Sequence, residues 1–206
     1  MRAIYDKLNE WVIVEKRTDW EKLHREIDDL IRPDGSVRLL LLQEMLLQRN
    51  LRLLHFYIEI LRGGGHFYED ENEVTGPMLL LLLQHAIVIL DEEEPFANLR
   101  SMWFIMELLD IVGHQVIFEE SSPAIPALYF RLAIKLIDLD LAGAARTEGS
   151  KDHCRQCFYF LDFRMHWYKG NSPEEWRLFV DRLKRCMPGS DSFVYLGDNL
   201  ELDTDD

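Results

Sequence analysis

Apolar residues recur every three to four positions along most of the chain, and helix starters and stoppers punctuate the runs. Trp20, Leu23, Ile27 and Leu30 lie at helical spacing in a segment that Thr18 or Asp19 caps and that ends at Ile31, before Pro33, Asp34 and Gly35. Ser36 is placed to cap the next segment, which carries Leu39, Leu42, Leu46 and Leu47. Leu51, Leu54, Ile58 and Leu61 follow after Arg49 and Asn50, and Gly63, Gly64 and Gly65 stop that run. Gly76 and Pro77 open a Leu-rich helix ending near Leu90. Pro95 restarts a helix through Val112, with Gly113 as its stop. Pro123 and Pro126 open another, with Leu128, Leu132, Leu136 and Leu139 on one face. Gly149 and Ser150 precede a long aromatic helix to about Lys169. Ser172 as N-cap, Pro173 at the first position and Glu175 three after the cap form the start signal of the last helix.

No stretch alternates as a strand would, so the pattern predicts an all-α fold of eight to ten helices of about 10–18 residues with short connections. Residues 78–90 and 99–112 are apolar on more than one face. Such helices pack on both sides, as the inner layers of antiparallel helix pairs stacked in a HEAT-like α-solenoid do. The expected organisation is one helical-repeat domain over 1–188 and a partly disordered acidic tail over 189–206. That tail also holds the apolar patch Phe193, Val194, Tyr195 and Leu196.

Composition narrows the function classes. With 206 residues, 48% of them apolar and 29% charged, the chain has the composition of a folded domain. Its net charge of -14 makes it a poor grip for a phosphate backbone and a good match for a basic partner. The excess is local. Glu69, Asp70, Glu71 and Glu73 form one cluster, Asp91, Glu92, Glu93 and Glu94 a second, and Asp198, Glu201, Asp203, Asp205 and Asp206 a third. The rest carries 24 acids against 23 bases. Three cysteines fit a reducing compartment. Residues 1–10 show no secretory signal core, and the apolar run from Met78 to Leu90 is too short to span a bilayer.

Nothing in the chain reads as an active site, and no cofactor is expected. There is no phosphate-binding loop, dinucleotide fingerprint or nucleophile elbow. Cys154 and Cys157, with His153 beside them and Cys186 and His166 elsewhere, have a spacing that zinc sites use. Within a helix these thiols read instead as small buried apolar groups, so no metal and no thiol chemistry is expected. His55, His85, His114 and His166 read as core or boundary residues. Asp138 and Asp140 are two apart on a helix and face different directions, which argues against a paired-carboxylate site. The aromatics from Phe158 to Tyr168 include a stripe at core spacing, and only Arg155, Arg164 and Lys169 stand near them.

From Phe130 onward the order Phe130-Arg131, Leu136-Ile137-Asp138, Gly149-Ser150-Lys151, Cys157-Phe158, Phe163-Arg164, Trp167-Tyr168-Lys169 and Trp176 resembles a known family. It is the family named after the middle domain of initiation factor 4G, in the form of the third HEAT-repeat domain of the nonsense-mediated mRNA decay scaffold. Phe104-Ile105-Met106-Glu107-Leu108, Val116-Ile117-Phe118, Tyr5 and the Lys16-Arg17-Thr18 turn extend the resemblance over most of the chain.

The resemblance implies a non-catalytic scaffold of mRNA surveillance, located in the cytoplasm, around the nucleus or within it. It implies docking of a basic RNA-recognition-fold domain, that of the third up-frameshift protein, through acids on and just after the helix at 78–90. In this chain that helix is nearly all apolar, and the acids begin at Asp91. The partner-binding residues expected on this basis are Asp91, Glu92, Glu93 and Glu94, with Glu69, Asp70 and Glu71. The alternative is an RNA-binding or translation-factor-like helical module using Arg177, Arg182, Lys184 and Arg185, against which the net charge speaks. RNA binding is expected to be weak or indirect, and no membrane contact is expected.

Overall fold

The computed structural model describes residues 2–14, 20–63, 72–91, 99–114, 124–142, 156–157 and 172–186. The described residues form eight α-helices and no strand, so the protein is all-α. In chain order these are α1 (Arg2–Val14), α2 (Trp20–Ile31), α3 (Gly35–Leu47), α4 (Leu51–Gly63), α5 (Asn72–Leu90), α6 (Leu99–His114), α7 (Ala124–Leu141) and α8 (Pro173–Cys186). No described helix is long and apolar enough to cross a membrane. Of the long aromatic helix expected up to Lys169, only Gln156 and Cys157 are described, and they are helical. The acidic tail at 189–206 lies outside the described residues.

Three helix boundaries differ from the sequence reading, each for a local reason. Asp34, not Ser36, caps α3: its backbone is extended (φ -142°, ψ 106°) and its carboxylate accepts from the Ser36 N–H at 2.8 Å. Helix α5 begins at Asn72, so Pro77 lies inside it rather than opening it. The ring removes one backbone hydrogen bond close to the helix start, while Met78, Leu79, Leu82 and Leu83 beyond it are fully buried. Helix α6 runs through Gly113 to His114. A glycine one residue from a helix end lowers helix stability by only about 1 kcal/mol.

Other signals hold as read. Pro126 sits in the first turn of α7, where its missing N–H would have had no helical partner. Pro173 is the first residue of α8, and the Trp176 N–H closes the first helical bond on the Ser172 carbonyl at 2.9 Å. Glu174 and Glu175 fall in its first turn and Lys184 and Arg185 in its last, the arrangement that the helix dipole favours at both ends.

The chain divides into two compact units, Met1–Leu81 and Leu82–Asp206, with the boundary inside α5. In the first unit α4 is the hub and packs against α1, α2 and α3. Leu53, Leu54, Phe56, Tyr57, Ile58, Ile60 and Leu61 are all buried, leaving only a stripe that includes His55, Glu59 and Arg62 at the surface. The α3–α4 turn is a Schellman motif. Asn50 N–H reaches the Met45 carbonyl at 3.3 Å, Arg49 N–H reaches the Leu46 carbonyl at 3.1 Å, and Arg49 takes a left-handed φ of 51°. The Asn50 side chain then accepts from the Leu53 N–H at 3.1 Å and caps α4.

Among the described residues, one charged side chain lies in this core. Arg38, on the Leu-rich α3, is 1% exposed. Its guanidinium donates to the Arg32 carbonyl at 3.2 Å, just past the end of α2, and its own carbonyl accepts from the Tyr57 hydroxyl at 3.1 Å. The arginine thus ties α2, α3 and α4 at one point. In the second unit α7 packs along α8. Phe130 meets Trp176 edge-on at 5.7 Å and Phe179 at 6.0 Å, and Trp176 lies 5.8 Å from Phe179.

Candidate docking surface

The acidic turn after α5 is built from the helix upward. Two bonds from the Asp91 N–H, to Ile87 and Val88 carbonyls at 3.2 and 3.1 Å, close the last turn. That turn carries no basic residue. A carboxylate placed there meets the negative end of the helix dipole, which disfavours it by roughly 0.3–1 kcal/mol. Asp91 is exposed, and its carboxylate is ion-paired to the Lys135 ammonium from α7. The pair supplies from another helix the positive charge that α5 lacks.

Glu92, Glu93 and Glu94 lie outside the described residues, as do Glu69, Asp70 and Glu71. The two groups differ in their place in the sequence. Glu69, Asp70 and Glu71 directly precede the first residue of α5, where negative charge stabilises a helix. Asp91 to Glu94 follow its last residue, where negative charge does the opposite.

A second ion pair joins α7 to α8: Arg182 Nη2 stands 2.5 Å from Asp138 Oδ1. Lys135 and Asp138 are three apart, so one face of α7 pairs in one direction with the α5 end and in the other with α8. This accounts for Asp138, and it removes Arg182 from the basic group on α8. Arg177 and Arg185 are exposed and Lys184 is half-buried.

The other chemistry-bearing residues are packed. Cys157 is fully buried, and burial pushes its thiol up to about 12 from 9.0. Cys186 is buried near the end of α8, and both are free thiols. His85 packs edge-on to Phe104 at 5.7 Å, and His55 lies 3.9 Å from Glu59 one turn further along α4. Among the described residues no three His, Cys, Asp or Glu side chains are grouped as metal ligands would be. His153, Cys154, His166 and the aromatics from Phe158 to Tyr168 lie outside the described residues, and so does the His114 side chain.

Two features had no sequence signal. Lys135 as the partner of Asp91 is one, because the two are 44 residues apart. The other is a cavity of about 400 Å³ lined by Arg2, Tyr5 and Asp6 of α1, Leu41 and Glu44 of α3, and Gln48 just past the end of α3.

The motifs that carry the family resemblance have clear structural work where they are described. Phe130 and Trp176 form the aromatic contact of α7 with α8, Leu136 and Ile137 are fully buried, and Asp138 holds Arg182. The class defined by these observations is an all-α protein, in which Asp91 stands exposed at the end of α5. No family model, no curated protein sequence and no solved structure matches the chain.

Proposed function

We propose that this chain is a non-catalytic protein-interaction scaffold of stacked helix pairs that docks a basic partner at the acidic turn after α5. The observation that carries the reading is the position of that turn. Four consecutive acids start where a helix C-terminus disfavours negative charge, the first is exposed, and helix stability gives no reason for them. A run of four carboxylates in sequence supplies what a basic surface recognises, and it speeds encounter through long-range attraction. The resemblance to the third HEAT-repeat domain of the second up-frameshift protein supports the same site. It makes a basic RNA-recognition-fold domain, that of the third up-frameshift protein, the first partner to test. In this reading the chain belongs to mRNA surveillance in the cytoplasm and meets RNA through its partner.

The test is calorimetric titration of the chain with that domain. Reversing Asp91, Glu92 and Glu93 to lysine is expected to weaken binding by at least about tenfold, more at low salt, with the melting temperature retained. Unchanged affinity rejects the turn as the docking site. Tight, salt-sensitive binding of single-stranded RNA in place of the protein domain favours the RNA-binding alternative.

A further inference from the structure

We propose that the groove between α1 and α3 receives an arginine side chain from a peptide segment, its guanidinium between Asp6 and Glu44 and its methylene stem over Leu41. This docking point stands on other residues than the acidic turn and does not depend on it.

The groove has the volume of a ligand site: about 400 Å³, in the range of roughly 300–1,000 Å³ that small-molecule pockets occupy. Leu41, 1% exposed, and the ring of Tyr5, 9% exposed, give it an apolar floor. Asp6, Glu44 and Arg2, all exposed, are its charged lining residues. The lining therefore has one negative charge in excess, which a single cation neutralises.

The remaining polar groups of the groove are already engaged. The Tyr5 hydroxyl donates to Gln48 Oε1, and Gln48 Nε2 donates to Glu44 Oε1 at 2.6 Å. This relay holds Glu44 towards the groove and leaves a carboxylate as the acceptor for a ligand. Burial raises the Tyr5 phenol above its ordinary value, the Asn50 side chain opposes this, and Glu44 and Asp6 both add to the rise. Both carboxylates thus act on the same point in the groove.

Arginine fits this lining better than lysine. Its planar fork has donors for two carboxylates at once, and its stem lies on apolar surface. Glu44 is flanked on α3 by Leu40 and Leu47, four residues before and three after, which are 43% and 80% exposed. They provide apolar ground for the residues next to the arginine, so the favoured segment carries leucine-like neighbours.

The experiment is an amide NMR titration of the full chain with an acetylated, amidated pentapeptide Ala-Leu-Arg-Leu-Ala. The control is the same peptide with citrulline, the neutral isostere, in place of arginine. Shifts are expected at residues of α1 and α3, and the dissociation constant is expected to rise at least about tenfold with citrulline or with Asp6→Asn plus Glu44→Gln. Asp91→Lys is expected to leave peptide binding unchanged, which separates this groove from the acidic turn. Circular dichroism checks the folding of the double variant; should it lose helicity, Asp6→Asn alone, at an exposed position, gives the same reading. The proposal is overturned if no shifts appear at millimolar peptide, if they fall outside α1 and α3, if citrulline binds equally well, or if Asp91→Lys weakens binding as much as the groove variants.

Discussion

Lys135 on α7 is ion-paired to Asp91, the residue that ends α5, across 44 positions of sequence. The Lys135 side chain is 27% exposed and that of Asp91 60% exposed, so the pair lies at the surface rather than in the core. Pairs of this kind contribute about 0–1 kcal/mol to stability. The main consequence is electrostatic: the first carboxylate of the acidic run already has a cation beside it.

That competition is measurable. Lys135→Met frees Asp91 and is expected to tighten binding of a basic partner several-fold, whereas Asp91→Asn is expected to weaken it. Neither change should alter the unfolding free energy by more than about 1 kcal/mol. Calorimetric titration alongside urea unfolding checks both, and an unaltered affinity in Lys135→Met would separate Asp91 from the binding surface.

Tyr57 is fully buried, and burial raises its phenol above the ordinary 10.0, with the nearby Arg38 charge opposing the rise. The folded state therefore keeps the proton that the unfolded state releases above pH 10. Tyr57's contribution to stability is complete below that pH and is lost as pH climbs further towards the folded-state value. Tyr57→Phe removes the 3.1 Å bond to the Arg38 carbonyl and should destabilise by about 1 kcal/mol at neutral pH. It should also flatten the alkaline decline. Urea midpoints on either side of pH 10 for both proteins provide the comparison.

Cys157 follows the same sign. Its thiol is pushed up from 9.0 to about 12 by complete burial, so its contribution to stability falls as pH rises from 9.0 towards about 12. At neutral pH the folded protein should alkylate at Cys157 far more slowly than the unfolded chain, since the thiolate is the nucleophile and the sulfur is covered. Peptide mapping after a short iodoacetamide pulse, with and without denaturant, reads this out. Equal labelling in both states would contradict the packing.

Arg49 occupies the left-handed position of the α3–α4 turn with φ 51°. A side chain there costs about 1 kcal/mol that glycine avoids. Arg49→Gly should therefore raise the urea midpoint, through an unfolding free energy larger by up to about 1 kcal/mol less the extra entropy of the unfolded chain. A fall in the midpoint would mean that the arginine side chain contributes more than the backbone strain removes.

The sequence by itself determined where the helices lie. The apolar spacing at Leu51, Leu54, Ile58 and Leu61, the stop at Gly63 and the start at Ser172-Pro173 act within a turn or two of chain, so they are legible in order. Boundaries failed where two local signals competed, as at Asp34 against Ser36, or where burial further along outweighed a breaker, as at Pro77. The acidic run after α5 was equally legible as a pattern. Tertiary structure alone decided what these residues meet. Lys135 reaches Asp91 and Arg182 reaches Asp138, each across 44 positions. Arg38 is buried on the Leu-rich α3, whose other charged residue, Glu44, is exposed, and the groove forms only because α1 and α3 bring Asp6 and Glu44 together. Local periodicity encodes which residues share a helix face; electrostatic partners are set by which faces pack, and that depends on contacts distant in sequence.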